Sequence, residues 1–263
     1  MRPGPSPTKR KSPAARVADI LRRLTRQHGP RAFKADARPL DVLVRQMLAQ
    51  NTSWPNAERG FRILKRELPT WRGVLDAPRD RVRQCIGICG LGAMRASRLQ
   101  ALLRRLLEET GRLSLAHVGR MAVADARAYL NGFHGVGPKT VDCTLLFAFG
   151  LPVFPVDKGI WRVARRLGVV GPKAGEKKVV EAVERATRDH PERCYPLHVL
   201  TYQHAKQICR PKNPKCDECR LLRVCPYGQR RQRNAAARDP APKSRPKRPA
   251  KWISAGVLRD DGE

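Results

Sequence analysis

Leu130-Asn131-Gly132-Phe133-His134-Gly135-Val136-Gly137-Pro138-Lys139-Thr140 joins two apolar stretches that both read as helix, the second marked by Leu145, Leu146 and Phe149. The Gly135-Val136-Gly137-Pro138 turn suits a tight hairpin. Glycine lets the backbone approach a ligand closely, and proline fits the first turn of a helix. Free N–H groups at that helix start suit a phosphate. A plain helix–helix connection uses the same residue types, so the turn acquires meaning from its surroundings.

On both sides of the hairpin the helical period recurs. Val17, Ile20, Leu21 and Leu24 fall at i, i+3, i+4 and i+7, and Gly29-Pro30 ends that run. Leu40, Leu43, Val44, Met47 and Leu48 repeat the pattern, as do Leu99, Leu102, Leu103 and Leu106. Ile160, Val163 and Leu167 mark a helix before Gly168, and Val179, Val180 and Val183 another. No run alternates with period two. The pattern predicts an all-α chain of roughly ten helices.

Lys and Arg outnumber Asp and Glu by 54 to 23, for a net charge of +31. Residues 1–13 contribute four basic side chains and no acidic ones, and residues 229–263 ten and four. The stretch between them therefore keeps +21. A folded part this basic points to a polyanionic partner, nucleic acid or an anionic membrane. No stretch approaches the ~20 apolar residues of a membrane span, and no apolar run comes after the N-terminus as in a secretory signal. The expectation is a monomer in the reducing cytoplasm, nucleoid-associated in a bacterium. Residues 1–13 and 229–263, rich in Pro, Lys, Arg and Ala, read as basic, flexible tails.

In a reducing compartment eight cysteines serve as metal ligands or core residues rather than a disulfide framework. Cys209, Cys216, Cys219 and Cys225 have a C-x6-C-x2-C-x5-C spacing. Four thiolates this close can surround one metal centre, and by spacing alone zinc and iron–sulfur are both open. Cys85 and Cys89 sit four apart in an apolar helical pattern and read as core.

The hairpin, the cysteine spacing and Val156-Asp157 together resemble the helix-hairpin-helix DNA glycosylases of the endonuclease III superfamily, over roughly residues 14–228. The resemblance implies a two-lobed all-α fold. A six-helix lobe would span 41–152; the second lobe would join residues 14–40 to 153–228. It implies a [4Fe–4S] cluster on Cys209, Cys216, Cys219 and Cys225, and it places Lys139 and Asp157 on the catalytic lysine and aspartate. Leu48-Ala49-Gln50-Asn51-Thr52 resembles the segment whose glutamine fills the gap left by an extruded base. Gly90-Leu91, with Arg95-Ala96 after it, resembles the family's turn into its next helix.

The activity implied by the resemblance is that of a base-excision glycosylase with AP lyase activity on double-stranded DNA. Lys139 would displace the base and form a Schiff base, with Asp157 stabilising positive charge on the sugar. The amides of Gly135 and Gly137 would hold a phosphate, and Arg210, Lys212 and Lys215 of the cysteine loop could contact others. Asp157 is also placed to cap the helix that starts after it. The sequence departs from the family pattern at Lys158-Gly159, where Thr-His is common, and at His134, where Pro is common. Gln50-Asn51-Thr52-Ser53-Trp54 looks more like members acting on alkylated purines or other lesions than like the commonest thymine-glycol enzymes, and Phe154-Pro155-Val156-Asp157 with the hairpin resembles plant 5-methylcytosine glycosylases. A monofunctional alkylpurine or mismatch glycosylase, and a noncatalytic or zinc-stabilised DNA-binding protein, are the alternatives.

Overall fold

The computed structural model describes residues 12–34 and 38–238. Among these residues there are twelve α-helices, a few 3-10 turns and no strand. In chain order the helices are α1 (Pro13–His28), α2 (Pro39–Leu48), α3 (Trp54–Glu67), α4 (Trp71–Asp76), α5 (Arg79–Ile86) and α6 (Gly92–Thr110). They continue with α7 (Val123–Asn131), α8 (Pro138–Phe149), α9 (Lys158–Leu167), α10 (Glu176–Ala186), α11 (Cys194–Gln207) and α12 (Pro226–Arg238). Side-chain caps start several of them: Ser12 accepts from the Ala15 amide, Ser53 from Asn56 and Thr70 from Gly73.

The buried apolar side chains form two clusters, which makes the fold two-lobed. One runs from Leu40 to Val153 and includes Cys85, Cys89 and the α11 residue Cys194. The other joins Val17, Ile20 and Leu24 of α1 to Phe154, Val156 and the apolar faces of α9, α10 and α11. The N-terminal helix thus packs with the C-terminal half, against α11 and α10. The changeover between clusters falls between Val153 and Phe154.

Helix α8 lies at the centre of the first lobe, packed on α2, α7 and α11. Leu145 and Leu146 are fully buried, and each contributes about 1.5–3 kcal/mol of burial free energy. Its N-terminus, with the hairpin turn, lies on the open cleft.

The tails require a correction at both boundaries. Pro13 already belongs to α1, and α12 runs to Arg238, ten residues into the stretch read as a flexible tail. Ala, Arg and Gln are strong helix formers, and Tyr227 at the start of α12 lies under the Arg166 guanidinium, 4.2 Å from its ring centroid. Residues 1–11 and 239–263 lie outside the described residues. Among the described residues no helix is long and apolar enough to cross a membrane.

Candidate active site

An open cleft of about 950 Å³ runs along the junction of the two lobes. Gln46, Gln50 and Asn51 line it from α2 and its C-terminal turn, residues Asn131 to Thr140 from the hairpin, and Val156, Asp157, Lys158 and Glu176 from the other lobe. Of the residues singled out in the sequence, Lys139, Asp157, Gln50, Gly135 and Gly137 therefore meet in one place. Arg210, Lys212 and Lys215 do not line this cleft; they sit on the cysteine loop.

The hairpin has the backbone its glycines suggest. Gly135 has φ +83°, and a Cβ there would come within 2.7 Å of Arg98 Cδ. Gly137 caps α8 in extended conformation with open space where a Cβ would stand. The amides of Gly135 and Gly137 have no acceptor among the described residues, so both remain free for an anion.

Lys139 stands exposed in the first turn of α8. Asp157 is half-buried and caps α9, its Oδ1 accepting from the Ile160 amide at 2.7 Å. The second carboxylate oxygen keeps no protein partner among the described residues. Beneath the pair lies Cys143, whose thiol burial pushes up to about 12; Lys139 opposes that shift while Asp142 and Asp157 add to it. Cys143 is therefore a protonated, inert neighbour.

His198 on α11 is buried under the same segment. Its Nδ1–H donates to the Pro155 carbonyl at 3.0 Å, and the rings of Phe147 and Phe154 meet it edge-on. Burial lowers its pKa from 6.5 to about 4, against the Pro155 hydrogen bond and the Asp157 charge. Between these values the unfolded chain holds the extra proton, so this contribution is complete above 6.5 and is lost as pH falls towards 4. Over that window the wild type should lose about 3 kcal/mol more stability in urea titrations than His198→Gln, which does not titrate. Parallel pH profiles would exclude a buried neutral imidazole.

Two residues at the cleft rim, Leu91 and Arg95, belong to the Gly90-Leu91…Arg95-Ala96 turn singled out in the sequence, which gave neither of them a role of its own. Arg95 is only 8% exposed, and its guanidinium donates to the Gly90 carbonyl at 2.8 Å, the Met47 carbonyl at 2.6 Å and the Gln50 carbonyl. It ties the Gly90 turn to the end of α2. Arg95→Met should cost about 3 kcal/mol in urea unfolding, because three carbonyls lose a charged donor. A cost below ~1 kcal/mol would mean that water replaces the guanidinium.

Leu91 is 60% exposed and holds φ +52°, a left-handed conformation that costs a leucine about 1–2 kcal/mol. It shares a small pocket with Gln50, Asn51 and Met94. The sequence marked Leu91 as part of a turn; its strain and exposure beside a polar cleft appear only in the structure. Gln50 itself is engaged: its Nε2 donates to the Gly135 carbonyl at 2.9 Å and to Thr140 Oγ1 at 3.1 Å.

The four clustered cysteines are spread around the wall of one apolar pocket with Val163, Leu167, Leu221 and Tyr227. Among the described residues no three His, Cys, Asp or Glu side chains converge tightly enough to hold a single ion. Four cysteines lining one pocket are a donor set that suits zinc and iron–sulfur alike. Donors already face the sulfurs: Arg166 Nη1 lies 3.4 Å from Cys209 Sγ, and the Gly228 amide 3.4 Å from Cys225 Sγ. His204 on α11 approaches Cys219 Sγ at 3.6 Å. Arg162 also donates to the Cys209 carbonyl at 3.0 Å, so α9, which Asp157 caps, is bolted to the start of the loop.

Comparison with known proteins agrees with this geometry. Residues 44–189 match the HhH-GPD superfamily base excision DNA repair proteins. The chain is 37% identical over 192 residues to Arabidopsis thaliana At3g47830, which carries a DNA glycosylase name; the match covers 70% of this chain and spans only 65% of the plant protein. It is 28% identical over 214 residues to endonuclease III of Thermotoga maritima, covering 81% of this chain and 92% of that protein. A solved non-covalent endonuclease III–DNA complex superposes with TM-score 0.69 at 21% identity, over 84% of this chain and 98% of that one. The hairpin, the two-lobed helical fold and these matches have one reading: the chain belongs to the HhH-GPD superfamily of base excision DNA repair proteins.

Proposed function

We propose that the protein is a DNA glycosylase with AP lyase activity that removes a damaged or mismatched base from double-stranded DNA. One observation supports this above the rest: Lys139, Asp157, Gln50, Gly135 and Gly137 line a single cleft with walls from both lobes. In this reading DNA crosses the junction between the lobe built from α2–α8 and the one that joins α1 to α9–α12.

Chemistry at a sugar inside a duplex requires the nucleotide to be extruded. Leu91 enters the stack as an apolar wedge. Gln50 fills the vacated space, giving up its bonds to Gly135 and Thr140. The free amides of Gly135 and Gly137 hold a backbone phosphate. Lys139 is exposed in the free protein, so water leaves its amine only when DNA covers the cleft.

The Lys139 amine then forms a bond to the sugar carbon C1′ as the glycosidic bond breaks. The bonding pair leaves with the base, and the proton lost by the amine balances the charge on it. Opening of the sugar ring gives an imine. Loss of a C2′ proton then expels the 3′ phosphate and cuts the strand. Asp157 stabilises the positive charge that develops on the sugar.

The four cysteines would hold a [4Fe–4S] cluster, which when bound fixes the shape of its loop. Arg210 and Lys212 are exposed there and available to phosphates. Lys215 is less so, since Glu218 takes its ammonium at 2.9 Å and 3.0 Å.

The test is borohydride trapping on duplexes carrying thymine glycol, 5-hydroxycytosine, uracil, a G·T mismatch, an alkylated purine, 5-methylcytosine or an abasic site. A covalent adduct supports the lysine mechanism and identifies the base. Base release without an adduct makes the enzyme monofunctional, and intact bound DNA throughout favours the noncatalytic alternative.

A further inference from the structure

Lys139 and Asp157 sit on different lobes, so their separation depends on what fastens the lobes together. One side-chain network does this beside them. Arg127 of α7 donates from Nε to Asp142 Oδ1 at 2.7 Å. Its two terminal nitrogens reach Glu184 of α10, at 2.5 Å to Oε1 and 3.3 Å to Oε2. Glu184 Oε1 also accepts from the Phe154 amide at 3.0 Å.

The sequence positions give this network its meaning. Asp142 is three residues after Lys139, the next turn of the same helix. Phe154 is three residues before Asp157 and is the first buried side chain of the second cluster after the changeover. Glu184 thus grips the segment bearing the aspartate with the same oxygen that binds the cation clamped to the helix bearing the lysine. Asp142 is buried and Arg127 and Glu184 are partly so, which shields the network from solvent. Arginine's planar fork fixes direction as well as distance, which a lysine would not.

We propose that Arg127 and Glu184 are positioning residues that set the separation between Lys139 and Asp157. The inference rests on the catalytic reading of that pair given above. A displacement of about 1 Å at reacting groups can cost on the order of 100-fold in rate, so loosening this network acts on the chemical step and spares DNA binding.

The experiment uses the full chain and an abasic-site duplex, measuring the single-turnover rate of borohydride-trapped adduct and the Kd separately. Glu184→Ala leaves the Arg127–Asp142 pair in place and is the variant expected to fold. It should lower the rate roughly 10- to 100-fold with Kd unchanged. Glu184→Gln, which keeps an oxygen for the Phe154 amide, should recover most of that rate. A wild-type rate in folded Glu184→Ala, or no recovery in Glu184→Gln, overturns the positioning role. Absence of any adduct with the wild type overturns the lysine reading, and this inference with it.

Discussion

Lys139→Ala should abolish the borohydride-trapped adduct on an abasic-site duplex and leave folding and most DNA affinity intact. The side chain is exposed and takes part in no ion pair or hydrogen bond among the described residues. Alanine is a better helix former than lysine, so α8 keeps its first turn. At most one phosphate contact is lost, which changes the salt dependence of binding by about one unit in slope. In the proposed mechanism only the covalent step requires an amine at this point of the cleft. Asp157→Asn acts on the same step by a different route: it keeps the cap on α9 and removes the charge, and should slow the reaction roughly 10²- to 10⁴-fold. An adduct that persists in Lys139→Ala would move the nucleophile to another amine. Lys158, which lines the same cleft, is the first to replace in turn.

The second large effect concerns the cysteine loop. If the loop holds the proposed [4Fe–4S] cluster, the purified protein should absorb broadly in the visible, and Cys219→Ser should remove that absorption, lower the iron content and sharply lower thermal stability. The thiols of Cys216, Cys219 and Cys225 are pushed up by burial, Cys219 to about 11, so a metal must displace their protons to bind. With one ligand gone, that exchange loses its return. The damage should spread to the cleft through α9, because Arg162 and Arg166 reach the carbonyls of Cys209, Arg210 and Pro211 at 2.8–3.1 Å. Slower trapping alongside bleaching is therefore expected. A colourless wild-type protein containing zinc would reject the iron–sulfur reading and retain the structural one.

Much of the fold was legible because its causes are local. Gly29 and Gly168 end α1 and α9 where the apolar period stops. Asp157 reads as a cap because it precedes Ile160 and Val163, and it caps α9. Cys85 and Cys89 read as core and are 6% and 3% exposed. The same locality explains the error at the C-terminus. A run of Gln, Arg and Ala looks like low complexity, yet it carries helix propensity, and the contact that anchors it comes from Arg166 on α9.

The helices, the hairpin turn, the four-cysteine loop and the types of residue able to do the chemistry are all written in the chain itself. Each depends on neighbours within a few positions, where periodicity and spacing are visible. It took the packing of the two lobes to bring Lys139 and Asp157 into one cleft, to bond Gln50 to the hairpin, to set Arg95 between two rim turns and to join α8 to α10 through Arg127 and Glu184. Those pairings form between residues tens of positions apart. They are selected by how the two apolar clusters pack and by the need of buried polar groups for partners, and neither leaves a periodic trace in the chain.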